Sequence, residues 1–233
     1  MMPPPQSAEG LLVLGIDTCG PAGSVALARL APDSANILGE SPLEGRTYSA
    51  TLIAAIEALL KAHNVRLREI KGLVVVNGPG SFTGVRVGLS AAKGLAEGAG
   101  LPVIAVSRLA VLASKATIAC AALDAHRHEI YLRLEEQELL AGAEDLAALA
   151  PPGRLAVCDE GAEALLAPAW PTASLIRVAA PSAADAIHLA TARIAAGGFE
   201  DIALLDGHYL RRSDAEIFGE KGRPAPSARS SAK

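Results

Sequence analysis

Aromatic side chains are scarce: three Phe, three Tyr and one Trp make up 3% of the 233 residues. A stacking platform for single-stranded nucleic acid is built from aromatics, and seven are too few to line one convincingly. No charge of one sign dominates either. Lysine and arginine number 21 against 25 aspartates and glutamates, a net charge of -4. A protein that grips RNA alone usually carries a basic field, so RNA chemistry, if this chain serves it, requires a partner to hold the RNA. The three cysteines, Cys19, Cys120 and Cys158, are odd in number and far apart. That spacing fits neither a disulfide framework nor a zinc site, and they read as small buried hydrophobes. The first ten residues lack the basic and apolar regions of a signal peptide. No run of 18 apolar residues is present, so no membrane span is expected and the cytoplasm is the expected compartment.

What is present is small and apolar. Hydrophobic residues are 51% and charged residues 20%, an ordinary globular balance. With 48 alanines, the core must be built from Leu, Val, Ile and Ala. The length allows one large domain or two small ones. Residues 11–17, 24–30 and 35–42 read as three strands joined by short turns, an antiparallel meander. Residues 47–63 and 85–99 read as helices, and residues 73–76 and 103–106 as buried strands. Ser107 reads as the N-cap of a further helix. A second set follows, with strands at 118–124, 129–134, 155–158 and 175–178 and helices at 144–149, 160–166 and 182–196. Two α/β units are the expected class. The halves echo each other only in an apolar strand that ends in Asp, at Asp17 and again at Asp124.

Gly78, Pro79, Gly80, Ser81, Phe82, Thr83 and Gly84 lead from a strand into a helix. Such a loop suits an anion or simply makes a tight crossover. It matches neither the Walker spacing nor the dinucleotide fingerprint. The helix after it holds Gly88, Gly94 and Gly98. Each interior glycine costs up to about 1 kcal/mol, and close approach of another helix would offset that. The preceding helix is apolar on nearly every face and reads as buried against the sheet on one side and against a partner or the second lobe on another. Asp17-Thr18 reads as a phosphate or metal-water site, or as a turn. His126 and His128 read as metal ligands or as part of a solvated hairpin. Cys158-Asp159-Glu160-Gly161 looks like a strand end and helix start. No Ser/His/Asp arrangement and no His-Glu-x-x-His motif is found.

Residues 78–96, from the glycine loop through Val85, Arg86, Val87, Gly88 and Lys93, closely resemble the hallmark of the TsaB family, also called YeaZ. Gly15-Ile16-Asp17-Thr18 is similar to its first strand. Arg46-Thr47-Tyr48-Ser49 is similar to its Arg-x-His-Ser segment, with Tyr48 in place of His. Val106-Ser107-Arg108-Leu109, Leu123-Asp124-Ala125-His126 and Tyr209-Leu210-Arg211 resemble further motifs, with His126 where Arg is usual. The resemblance implies an α/β, actin-like and sugar-kinase-like (RNase H-like) ATPase fold of two related lobes, with mixed sheets flanked by helices. The lobes are expected at 11–107 and 108–215, with flexible tails at 1–10 and 216–233. It implies a non-catalytic scaffold that supports a TsaD-like transferase in making threonylcarbamoyladenosine at adenosine-37 of tRNA. Both histidines of the paralogue's metal motif are missing from Arg108-Leu109-Ala110-Val111-Leu112. ATP and metal are therefore expected on the partner, and none on this chain. A heterodimer with the TsaD-like protein, a TsaE-like ATPase, a homodimer when alone, and tRNA met mainly through the complex are the expected partners. The implied interface comprises Leu52, Ile53, Ile56, Leu60, Gly88, Ala91, Ala92 and Leu95, so Gly88→Arg is expected to block pairing without unfolding the monomer. An ATP-dependent phosphotransferase using Asp17, Thr18 and the glycine loop is the alternative, and a peptidase has little support.

Overall fold

The computed structural model describes residues 10–31, 34–45 and 47–211. The two expected tails, apart from Gly10, and Arg46 lie outside them. The first sheet holds β1 (Leu11–Asp17), β2 (Ala22–Ala31), β3 (Ser34–Glu44), β4 (Ile70–Val76) and β5 (Val103–Val106), in the order β3-β2-β1-β4-β5. Central β1 is buried from Leu12 to its end, as an apolar run covered on both faces must be. It pairs antiparallel with β2, Leu14 opposite Leu27, and parallel with β4, Leu14 beside Leu73.

The second sheet holds β6 (Ala121–His126), β7 (Glu129–Leu134), β8 (Gln137–Gly142), β9 (Arg154–Val157) and β10 (Ser174–Arg177), ordered β10-β9-β6-β7-β8. Read from the other edge, this is the first sheet again: an antiparallel meander of three strands, then two parallel strands on the far side of the first. The helices repeat in step. α1 (Tyr48–Ala62), α2 (Phe82–Ala99) and α3 (Arg108–Lys115) follow β3, β4 and β5. α4 (Ala143–Ala148), α5 (Glu160–Ala169) and α6 (Ala183–Ala195) follow β8, β9 and β10. The duplication extends to the strand ends. Asp17 Oδ1 accepts from the Cys19 amide at 2.8 Å, and Asp124 Oδ1 from the His126 amide at 2.7 Å.

α1 and α2 cover one face of the first sheet, and α6 covers the other. The last helix expected in the C-terminal lobe thus belongs to the first lobe's core. The backbone explains the fit: a Cβ on Gly15 of β1 would stand 2.8 Å from the Ala183 carbonyl oxygen of α6. α3 makes the reciprocal move. Leu109 and Leu112 pack on Ala121, Leu123 and Tyr131 of the second sheet, whose other face buries Leu146 and Leu166 of α4 and α5. α3 and α6 meet between the sheets, tied by Lys115 to Asp185 at 2.6 Å. β8 had no counterpart in the sequence reading.

Candidate functional site

The glycine loop is folded down onto the end of β1. The Ser81 amide donates to the Cys19 carbonyl at 2.8 Å, and Thr18 Oγ1 donates to the Gly84 carbonyl at 2.7 Å. Ser81 caps α2 by accepting from the Gly84 amide. A Cβ on Gly84 would stand 2.0 Å from the Thr18 carbonyl oxygen, and one on Gly88 would stand 2.4 Å from Thr18 Oγ1. These glycines therefore admit the chain's own β1–β2 turn, and Gly88 and Ala92 are core residues. Gly88→Arg would break the fold, so the expectation that it spares the monomer is withdrawn.

Asp17 and Thr18 are fully buried. Burial pushes the Asp17 carboxyl up, against the lowering pull of Arg108. Arg108 Nε lies 3.9 Å from Asp17 Oδ2, and both atoms are buried without a hydrogen-bond partner among the described residues. The Arg108 amide is anchored to the Gly78 carbonyl at 2.6 Å, and its charge is felt by Cys19 and Tyr48 in the first lobe and by Cys158 in the second. The guanidinium thus lies against the end of β1, within electrostatic reach of Cys158 after β9. A phosphate and its metal need open donors and carboxylates. With Thr18 committed to Gly84 and Asp17 covered by Arg108, these residues do not fit them.

α1 turns Leu52, Ile56, Leu59 and Leu60 inward, each contributing about 1.5–3 kcal/mol by burial. Of the eight expected interface residues, Leu52, Ile56, Leu60, Gly88 and Ala92 are thus taken by the chain's own core. Ile53 remains 56% exposed, and Ala91 and Leu95 of α2 are half-buried. Gly94 and Gly98, further along α2, face open space.

The segment 205–211 carries contacts that the sequence reading gave no role beyond a motif match. It straps the lobes together. The His208 amide donates to the Asn77 carbonyl at 2.7 Å, and its Nε2 meets Glu138 Oε2 at 2.9 Å. Glu138 of β8 also accepts from Ser107 Oγ and Arg133 Nη1, each at 2.7 Å. Burial would raise the Glu138 carboxyl, but the bonds from His208, Ser107 and Arg133 outweigh it and hold the group below its ordinary value. Arg211 donates to the Ala125 carbonyl at 2.6 Å and pairs with Glu129. A single Tyr-Leu-Arg triplet says nothing of this, because the partners of Arg211 lie 82 to 86 residues away.

Residues 42–158, half of the chain, match the model of the family described as TsaD: tRNA N6-adenosine threonylcarbamoyltransferase. The tRNA threonylcarbamoyladenosine biosynthesis protein TsaB of Haemophilus influenzae is 38% identical over 129 residues, covering 53% of each chain. Its Escherichia coli namesake is 35% identical over 148 residues, 60% of this chain and 62% of that one. Among solved structures, YeaZ from Pseudomonas aeruginosa superposes with a TM-score of 0.69 at 26% identity, over 86% of this chain and all of that one. The chain belongs to the TsaB/YeaZ family. Its actin-like fold of two mixed sheets flanked by helices is the one expected from the resemblance. The chain spans between half and two thirds of the length of these two curated relatives.

Other motif positions resolve into structural roles. Tyr48, where the family pattern has His, is buried and donates from its hydroxyl to the Gly20 carbonyl at 2.7 Å, with its pKa pushed up to about 12 by burial. His126, Arg127 and His128 form a left-handed hairpin tip with φ near 60°, and His126 leans on Asp124 at 3.0 Å. Asp159 caps α5 and accepts from the Asp124 amide. The Cys158 thiol is pushed up to about 11 by burial, which suppresses its thiolate. Among the described residues no group of three His, Cys, Asp or Glu is arranged to hold a metal, and no helix is long and apolar enough to cross a membrane.

Proposed function

We propose that this chain is a non-catalytic, dimerising subunit of the machinery that makes threonylcarbamoyladenosine in tRNA. It pairs through α1 and α2 with a TsaD-like transferase, which holds the ATP and the metal. A TsaE-like ATPase completes the set, and the chain pairs with itself when alone. The family assignment motivates the reading, and the buried end of β1 carries it. There the Arg108 guanidinium lies against Asp17 where a phosphotransferase would need open phosphate and metal donors. The alternative of an ATP-dependent phosphotransferase is not favoured for the same reason. Ile53, Ala91 and Leu95 supply the apolar contacts left over after the chain's own core is filled.

Reconstitution tests it. Threonylcarbamoyl-adenylate, tRNA and the cognate TsaD-like and TsaE-like proteins are combined with and without this chain, and modified adenosine is counted. Turnover that needs the chain supports the reading. Equal turnover without it sinks the subunit role and leaves nucleotide binding by the isolated chain as the next question.

A further inference from the structure

Two of the seven aromatic side chains, Phe82 and Tyr209, sit together with ring centroids 5.1 Å apart and planes at 45°. They are 36% and 38% exposed and border a cavity of about 660 Å³ between α2 and the strap. The Arg86 guanidinium lies 3.8 Å over the centre of the Phe82 ring. Lys93, two helical turns further on, also borders the cavity and has no hydrogen bond or ion pair among the described residues. Arg211 closes the far end, already paired with Glu129, and Asp206 is the one acid on the rim. At 100° per residue, Phe82, Arg86 and Lys93 share one flank of α2, opposite Ala91 and Leu95. A partner seated on Ile53, Ala91 and Leu95 would leave this flank open.

We infer that this cavity is the chain's own contact for a single-stranded stretch of the tRNA, a reading that rests on the proposed subunit role. The chain as a whole is acidic and holds too few aromatics for an extended platform, so this one local pairing of unneutralised cations with exposed rings is an exception to both and calls for an occupant, an auxiliary contact to RNA that the partner holds in the main. Sequence-tolerant RNA sites combine these two elements: cations along the backbone and aromatic or guanidinium planes for bases. Arg86 and Lys93 are about 10 Å apart along the helix axis at 1.5 Å per residue, too far for neighbouring phosphates and within reach of two phosphates separated by one more along a strand. An acidic protein segment would use the two cations and leave the rings idle.

The test has two arms. In the reconstituted reaction, Lys93→Glu and Tyr209→Ala are each expected to raise KM for tRNA about tenfold, with kcat and co-purification of the TsaD-like partner unchanged. The slope of log KM against log salt should fall by about one for Lys93→Glu. Lys71→Glu, the same charge change at an exposed position of β4, should match wild type. In the second arm the isolated full chain is titrated with a fluorescent single-stranded RNA oligonucleotide, and Lys93→Glu should weaken binding. That arm uses no partner, so it decides the site even where wild type supports no turnover and the subunit reading fails. The inference is overturned if both variants keep wild-type KM and RNA binding. It is overturned equally if polyglutamate competes as well as RNA, which would mark a carboxylate site for a protein partner.

Discussion

Gly88 and Gly94 stand on the same helix and answer to opposite forces. At Gly94 nothing lies within 4 Å of an added Cβ. Gly94→Ala should therefore recover helix propensity and stabilise the chain by about 1 kcal/mol in thermal or urea denaturation. At Gly88 the same methyl meets Thr18 Oγ1 at 2.4 Å, and that hydroxyl is held by its bond to the Gly84 carbonyl. Overpacking outweighs the propensity gain, and Gly88→Ala should destabilise by about 1–3 kcal/mol. Arg108 gives a pH-dependent case. The Asp17 carboxyl is already raised by burial, and Arg108 is what pulls it back. Arg108→Met removes that pull, so the folded chain holds the Asp17 proton to higher pH. A raised folded pKa means that stability falls as pH rises from the unfolded value near ~4. The variant's deficit should thus be larger at pH 7 than at pH 5, and urea midpoints at the two values measure it.

At the scale of elements, α1 shows how one apolar helix divides its duties. Its inward row, Leu52, Ile56, Leu59 and Leu60, belongs to the first sheet's core, while Ile53 points away. Leu52→Ala should cost about 2–5 kcal/mol through the cavity it leaves. Ile53→Asp should move stability by no more than about 0.5 kcal/mol yet abolish co-purification with a TsaD-like partner. An unchanged complex with Ile53→Asp would remove α1 from the proposed interface. The exchange of α3 and α6 between the two sheets is a second lesson at this scale. In the duplicated topology neither unit covers its sheet with its own third helix, so a cut after residue 107 would leave α3 on the second sheet but strip α6 from the first.

The whole molecule is held as one piece by the strap and by Glu138, where the first lobe's Ser107, the second lobe's Arg133 and the strap's His208 converge. Glu138→Ala leaves the part-buried Arg133 guanidinium and two polar groups without their acceptor and should cost about 1–3 kcal/mol. The sign with pH follows from the lowered folded value. The ionised carboxylate contributes fully above its unfolded value near ~4.3 and progressively loses that contribution as pH falls through the lower folded one. Urea midpoints below about pH 4.3 should therefore decline in wild type more steeply than in Glu138→Gln, whose side chain does not titrate.

Period and punctuation reveal local structure, and here they were enough for the meander, the strand–loop–helix read at 73–99 and the class of two α/β units, although β4 and α2 each begin three residues earlier than read. The apolar runs of β1 and β4 are buried wherever they pair, and Ser81 and Ser107 stop the backbone in the same way in any context. β8 escaped because Gln137–Gly142 is a half-buried edge strand with weak alternation. The second copy of the topology was implied by the family resemblance alone, because pairing order is set by contacts distant in sequence and only the Asp17 and Asp124 strand ends are alike. Which way each apolar helix residue faces was likewise decided by tertiary packing. A sequence shows that Gly84, Gly88 and Ala92 are small, but only the folded chain shows that Gly84 and Gly88 meet Thr18 and Ala92 the chain's own core rather than a partner's helix. The strap, the Arg108–Asp17 contact and the Phe82–Tyr209 cavity rest on side chains brought together across both lobes, so they exist only once the two sheets have closed around α3 and α6.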